Sequence, residues 1–259
     1  MSVQRLFDLS GKTAVVTGGS RGIGLQMAQA LGEMGAKVSI TARKQDELDA
    51  SRVHLEELGI ECIAVRGDLA DFASIPGIVD QVLTRWGCID ILVNNAGTTW
   101  AAPAEDYPDE AWRKVMGLNI DAQFFMSREV GKRSMIPRKS GKIVNIASIA
   151  GLYGNPPEWN MQTMAYNTSK GALISMTRAL ATEWGRYNIN VNAICPGFFP
   201  SKMSKGILER IDRSVLAMTP LGRLGGDEDL MGSIIFLASE ASRHITGQTL
   251  AVDGGCSAV

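Results

Sequence analysis

Residues 12–31 read KTAVVTGGSRGIGLQMAQAL, and their order decides the fold. KTAVVT at 12–17 is a short β-rich run that suits a strand. Gly18, Gly22 and Gly24, with Ser20, Arg21 and Ile23 between them, close that strand and open a helix. Glycines at such a junction permit a tight turn and let backbone N–H groups approach a phosphate, while the helix N-terminus adds a favourable dipole. The spacing is G-x-x-x-G-x-G rather than G-x-G-x-x-G. The same residues also fit G-x-S-x-G, the nucleophile elbow of hydrolases, with His244 late in the chain. Only one strand precedes Ser20, which leaves no earlier strand and loop for the second oxyanion donor. A phosphate-binding turn is therefore the better reading.

Outward from this unit, strands alternate with helices to the end of the chain. Strands are expected at 12–17, 37–41, 61–66, 89–93, 142–147, 189–194 and 248–252, and helices near 22–34, 44–58, 73–86, 109–135, 164–187, 205–217 and 227–238. Several strands are apolar runs without polar alternation, as expected when helices cover both faces. A βαβα order with right-handed crossovers implies an α/β fold, a doubly wound, Rossmann-like parallel sheet in one domain spanning 1–259. The longest irregular stretches, 149–163 and 196–204, follow strand C-termini, the edge at which ligands bind in open α/β sheets. Leu152, Tyr153, Trp159, Met161, Phe198, Phe199 and Met203 make them apolar, as substrate lids over about 149–163 and 196–218 would be.

Bulk composition narrows the partners. The 259 residues carry a net charge of −1, with 45% hydrophobic residues. Neither nucleic acid nor an anionic membrane is marked as a partner, and no apolar run approaches the ~18 residues of a spanning helix. The N-terminus, MSVQRLFDLSGK, has no apolar signal region, so the cytoplasm is the expected location. Cys62, Cys88, Cys195 and Cys256 are widely spaced and the only histidines are His54 and His244, so no metal site is expected.

A second cluster carries chemistry. Tyr166 and Lys170 lie four residues apart, one helical turn, and Ser148 ends the apolar run GKIVNIAS. A phenol has a pKa near ~10, and bringing it to about 7 requires ~4 kcal/mol. An adjacent ammonium favours the phenolate. A serine hydroxyl nearby would hold a substrate oxygen, so the trio is equipped to move a proton on or off an alcohol or carbonyl.

Further strand ends complete a nucleotide site. After the second strand comes Thr41-Ala42-Arg43-Lys44, with no acid before Asp46 to accept from a ribose 2′-hydroxyl. Arg43 with Arg21 would instead clamp a 2′-phosphate, which predicts NADP(H) over NAD(H). Asp68 and Leu69 end the third strand near the adenine position. Asn95, Ala96 and Gly97 end the fourth, where small residues let backbone pass close to a cofactor.

Taken in order, TGGSRGIG at 17–24, Asp68, NNAG at 94–97, Asn119, Ser148, Tyr166-x-x-x-Lys170 and Pro196-Gly197 resemble the short-chain dehydrogenase/reductase family along nearly the whole chain. The resemblance implies a seven-stranded sheet and a homotetramer. It implies Tyr166 as general acid/base, Lys170 on the nicotinamide ribose and lowering the Tyr pKa, Ser148 on the substrate oxygen, and Asn119 positioning a relay water. Pro196, Gly197 and Phe199 would border the nicotinamide, and Ser201, where relatives commonly carry Thr, would meet its carboxamide. Loop segments look like β-ketoacyl reductases of rhamnolipid biosynthesis and, at 226–242, like gluconate 5-dehydrogenases.

The expected reaction is interconversion of a ketone and a secondary alcohol by hydride transfer, with a small-molecule substrate. The apolar lids favour a 3-oxoacyl thioester. The alternative is a sugar acid such as gluconate at C5, for which Asn155, Glu158, Asn160 and Gln162 would supply hydrogen bonds. A cofactor-binding sensor or scaffold without turnover is the reading of a different class, and the complete catalytic set argues against it.

Overall fold

The computed structural model describes residues 2–200 and 214–259. Seven strands, β1 Thr13–Thr17, β2 Lys37–Ala42, β3 Cys62–Arg66, β4 Ile91–Asn94, β5 Gly141–Ile146, β6 Ile189–Pro196 and β7 Thr249–Val252, form one sheet. Its order is β3-β2-β1-β4-β5-β6-β7, and every pairing is parallel. Parallel neighbours require crossovers, and the helices supply them. They are α1 Gly22–Glu33, α2 Gln45–Glu57, α3 Ile75–Trp86, α4 over 109–138, α5 Met164–Trp184 and α6 Met231–Ala238.

Successive strand residues point to opposite faces and seed two cores. Ala14 and Val16 pack with Met27, Leu31, Leu48 and Ile234 under α1, α2 and α6. Val15 and Leu92 pack with Ile78, Val82, Met126 and Leu180 under α3, α4 and α5. The chain turns back between β1 and β4, so the C-terminal ends of these adjacent strands diverge into a crevice, the switch point of the sheet.

Three departures from the sequence expectation have a visible structural basis. The strand anticipated from residue 89 begins at Ile91, because both backbone groups of Ile89 bond the buried Ser134 hydroxyl, at 2.8 and 3.0 Å. The helix anticipated from 227 begins at Met231, because the Asp229 carboxylate accepts from the Gly226 N–H at 2.7 Å and pairs with Arg223, holding a turn upstream. Helix α4 is interrupted by two π turns, Gly117–Asp121 and Gly131–Met135. The helix expected at 205–217 lies mostly outside the described residues.

Candidate active site

The cradle begins at Thr17. Its hydroxyl, buried at the end of β1, donates to the Val93 carbonyl at 3.2 Å and accepts from the Asn95 and Ala96 amides at 2.9 and 3.1 Å. The Asn95 amide returns the link, donating to the carbonyls of Thr17 and Gly18 at 2.8 and 3.1 Å. Two glycines are required here. Gly18 has φ +65°, and a Cβ on Gly24 would stand 2.3 Å from the Gly18 oxygen. The first turn of α1 can therefore approach the loop, leaving room above the backbone amides for a dinucleotide phosphate.

A cavity of about 560 Å³ runs along the C-terminal edge of the sheet. At one end it is lined by Gly18, Ser20, Arg21, Gly22, Ile23 and Gly24, with Arg43, Asp68 and Leu69 opposite. In the middle it meets Asn95, Ala96 and Gly97. At the other end it meets Ser148, Tyr166, Lys170, Pro196, Gly197 and Phe199. The sequence-derived residues thus converge on one space with two exceptions. Asn119 lies behind the wall, and Ser201 is outside the described residues.

Asn119 is fully buried within the first π turn of α4. π turns interrupt α-helices mostly as single turns, frequently at functional sites. Its side chain accepts from the Thr98 N–H at 2.8 Å and donates to the Thr98 carbonyl at 2.9 Å and to the Ser169 hydroxyl at 3.0 Å. Ser169 in turn donates to the Tyr166 carbonyl at 2.8 Å. The amide therefore braces the strand-end loop against the turn of α5 that carries Tyr166.

Ser148 caps a short 3₁₀ turn, accepting from the Ala150 N–H at 3.1 Å. Lys170 is buried and donates to the Ile146 carbonyl at 2.7 Å, with Nζ 5.6 Å from the Tyr166 ring centroid. Burial lowers the Lys170 ammonium to about 8. The Tyr166 phenol is raised above its ordinary value by desolvation, against the lowering pull of its hydrogen bond with Ser148. The direction differs from the expectation that Lys170 depresses the phenol: the ammonium lies over the ring and donates a hydrogen bond to the Ile146 carbonyl, and desolvation is the largest influence on Tyr166.

The lid at 149–163 is ordered by Asn155, whose amide donates to the Met161 carbonyl at 2.8 Å and the Thr163 hydroxyl at 3.0 Å. Asn155 therefore braces the lid, and Asn160 and Gln162 do not line the cavity. Tyr153, Trp159, Met161 and Phe198 do, with Trp159 packed edge-on to Phe198 at 5.2 Å. Three cavity residues carry buried polar atoms without a hydrogen-bond partner among the described residues, the Thr41 and Thr99 hydroxyls and the Trp159 indole nitrogen.

Sequence reasoning missed Glu47. It lines the cavity, and Arg21 donates to both its oxygens at 2.8 and 2.9 Å. Its signal was an acid one position beyond Asp46, in the first turn of the helix that follows β2.

A seven-stranded parallel sheet with a glycine-lined cradle at its switch point and a Ser–Tyr–Lys cluster beyond defines a dinucleotide-dependent oxidoreductase. The chain matches the family described as Enoyl-(Acyl carrier protein) reductase over residues 18–257. Gluconate 5-dehydrogenase of Gluconobacter oxydans (strain 621H) is 38% identical over 257 residues, covering 98% of each chain. The rhamnolipids biosynthesis 3-oxoacyl-(acyl-carrier-protein) reductase of Pseudomonas aeruginosa is 38% identical over 256 residues, covering 96% of this chain and 97% of that one. A gluconate 5-dehydrogenase from Burkholderia cenocepacia J2315, solved in complex with NADP and tartrate, superposes with a TM-score of 0.93 at 33% identity, covering 100% of both. The protein belongs to the short-chain dehydrogenase/reductase family and is an oxidoreductase of CH–OH groups. No helix among the described residues is long and apolar enough to cross a membrane.

Proposed function

We propose that the protein interconverts a hydroxylated keto acid and its secondary alcohol with NADP(H), as the gluconate 5-dehydrogenases it resembles are named for doing. What supports this is that gluconate and 2-dehydro-3-deoxy-D-gluconate 5-dehydrogenases match nearly the whole chain at 37–39% identity, and that Asn155 puts a polar side chain on the cavity wall. The 3-oxoacyl thioester suggested by the apolar lids takes second place, since the relatives include more sugar-acid enzymes than acyl reductases.

The nicotinamide, when bound, supplies or accepts the hydride. The chain's own residues do the rest. Ser148 and Tyr166 hold the carbonyl oxygen, and Tyr166 gives its phenolic proton to that oxygen as alkoxide character develops. Lys170 places a cation beneath the ring. Asn119 fixes the turn that presents Tyr166. NADP(H) preference rests on Arg43, whose guanidinium has no partner among the described residues at the cavity wall.

The test is NADPH oxidation with 5-keto-D-gluconate against acetoacetyl-CoA. We expect kcat/KM to favour the sugar acid by at least about tenfold, a difference of about 1.4 kcal/mol. Preference for acetoacetyl-CoA would reinstate the thioester.

A further inference from the structure

The far end of the cavity, where β2 runs into α2, holds three cations and Glu47, with a second carboxylate, Asp68, on the wall opposite the glycine loop. Arg21, Arg43, Lys44 and Glu47 all line it. Glu47 takes two of the cations: Arg21 Nη1 donates to both its oxygens, at 2.8 and 2.9 Å, and Lys44 Nζ lies 3.2 Å from Oε1. The pairs are held at the rim, with Arg21 and Lys44 side chains 53% and 59% exposed and Glu47 23%. Arg43 is left without an ion-pair partner among the described residues.

Glu47 does not arrive there by chance of rotamer. It sits in the first turn of α2, where the helix N-terminus favours an anion. Ser51, one turn on, bonds the Glu47 carbonyl at 2.9 Å and the Ser20 carbonyl at 2.6 Å, fastening that turn of α2 to the glycine loop. The carboxylate is therefore delivered by the backbone to the spot between the glycine loop and the β2 end.

We infer that Glu47 is a specificity-determining residue that selectively weakens NADP(H) binding and so narrows the gap between the two nicotinamide cofactors. This rests on the NADP(H) reading proposed above. A ribose 2′-phosphate at this wall competes with Glu47 for Arg21 and Lys44, and it brings a second anion beside the carboxylate. A 2′-hydroxyl brings no charge and leaves both pairs in place. Arg43, uncommitted, carries the preference; Glu47 limits it. Three cations against the carboxylates of Glu47 and Asp68 still leave the subsite positive, so the phosphate is favoured overall but by less than the cations alone would give. Exposed pairs are weak, so the competition is one that a phosphate wins at modest cost.

The experiment is equilibrium titration of the full-length protein with NADPH and with NADH, read by nicotinamide fluorescence, for wild type, Glu47→Gln and Arg43→Gln. Expected is a wild-type preference for NADPH that Arg43→Gln removes. Glu47→Gln should raise the Kd ratio of NADH to NADPH by roughly three- to tenfold, through tighter NADPH binding. An unchanged ratio overturns the inference. So does a lowered ratio, which would mean that the carboxylate positions Arg21 for the phosphate, and so does weaker binding of both cofactors alike, which would make Glu47 only a fastener of α2. If wild type prefers NADH and Glu47→Gln still raises the ratio, the NADP(H) reading fails while the role of Glu47 stands. Melting temperature without cofactor, and Glu47→Asp as a variant that keeps the charge, separate a folding defect from a change in selectivity.

Discussion

Tyr166 concentrates the chemistry, and its environment sets a direction that can be measured. Desolvation raises the phenol, so it is protonated through neutral pH and competent as an acid. Ketone reduction consumes that proton and should be flat across neutral pH, falling only as alkalinity approaches the raised pKa. Alcohol oxidation needs the phenolate, so its rate should climb with pH from neutrality upward. Paired pH profiles of kcat in the two directions check this; an oxidation rate independent of pH would remove Tyr166 from proton transfer. Tyr166→Phe should lower turnover by about 10²–10⁴-fold while NADPH titration is unchanged. A Phe variant with ordinary turnover would refute the assignment outright. The trio of Ser148, Tyr166 and Lys170 was legible because a turn of helix fixes the Tyr–Lys spacing and Ser148 ends a strand. The direction of the phenol shift was not legible. Sequence shows that a lysine is near but not where its N–H groups point, and Lys170 donates a hydrogen bond to the Ile146 carbonyl.

Among the elements, the glycine loop and the fourth strand end behave as one part, and Thr17 is the joint. Its hydroxyl satisfies two N–H groups of the turn that passes the cofactor. Thr17→Val keeps the shape and removes both acceptor bonds. It should cost roughly 2–4 kcal/mol in urea unfolding and weaken NADPH binding, with Thr17→Ser recovering most of both. Stability unchanged by the valine would show that water replaces the hydroxyl and that the two elements are not coupled there. The strands were readable as unbroken apolar runs, and the loop–strand pairing was implied by order alone. What could not be read was set by contacts distant in sequence. β4 starts late because of Ser134, 45 residues on. Glu47 meets Arg21 across 26 residues. The π turn around Asn119 adds a residue to a helical turn without disturbing the apolar pattern that announces the helix, so periodicity reports one helix through it.

At the scale of the whole molecule, the fold leaves surface that a single chain does not use. β7 pairs only with β6, and Leu250 on it stays 37% exposed, so one edge of the sheet is open. Open edges are ordinarily covered or blunted. On the opposite layer α5 buries Leu173, Ile174, Leu180 and Trp184 within the chain itself, while α4 keeps Phe124 and Trp112 outward at 39% and 37% exposure. Phe124 and Phe125 stack at 5.6 Å beneath the Arg128 guanidinium, forming a preassembled apolar patch with a cation at its rim. Aromatic and arginine side chains of this kind anchor protein interfaces. The tetramer implied by the family resemblance is expected to cover the α4 patch. Light scattering should then give four times the 27.8 kDa chain mass. Phe124→Glu, which buries a charge only if α4 is an interface, should lower that mass to a dimer or monomer without unfolding the chain. A single-chain mass for the wild type would refute the tetramer, and a tetramer indifferent to Phe124→Glu would move the interface away from α4.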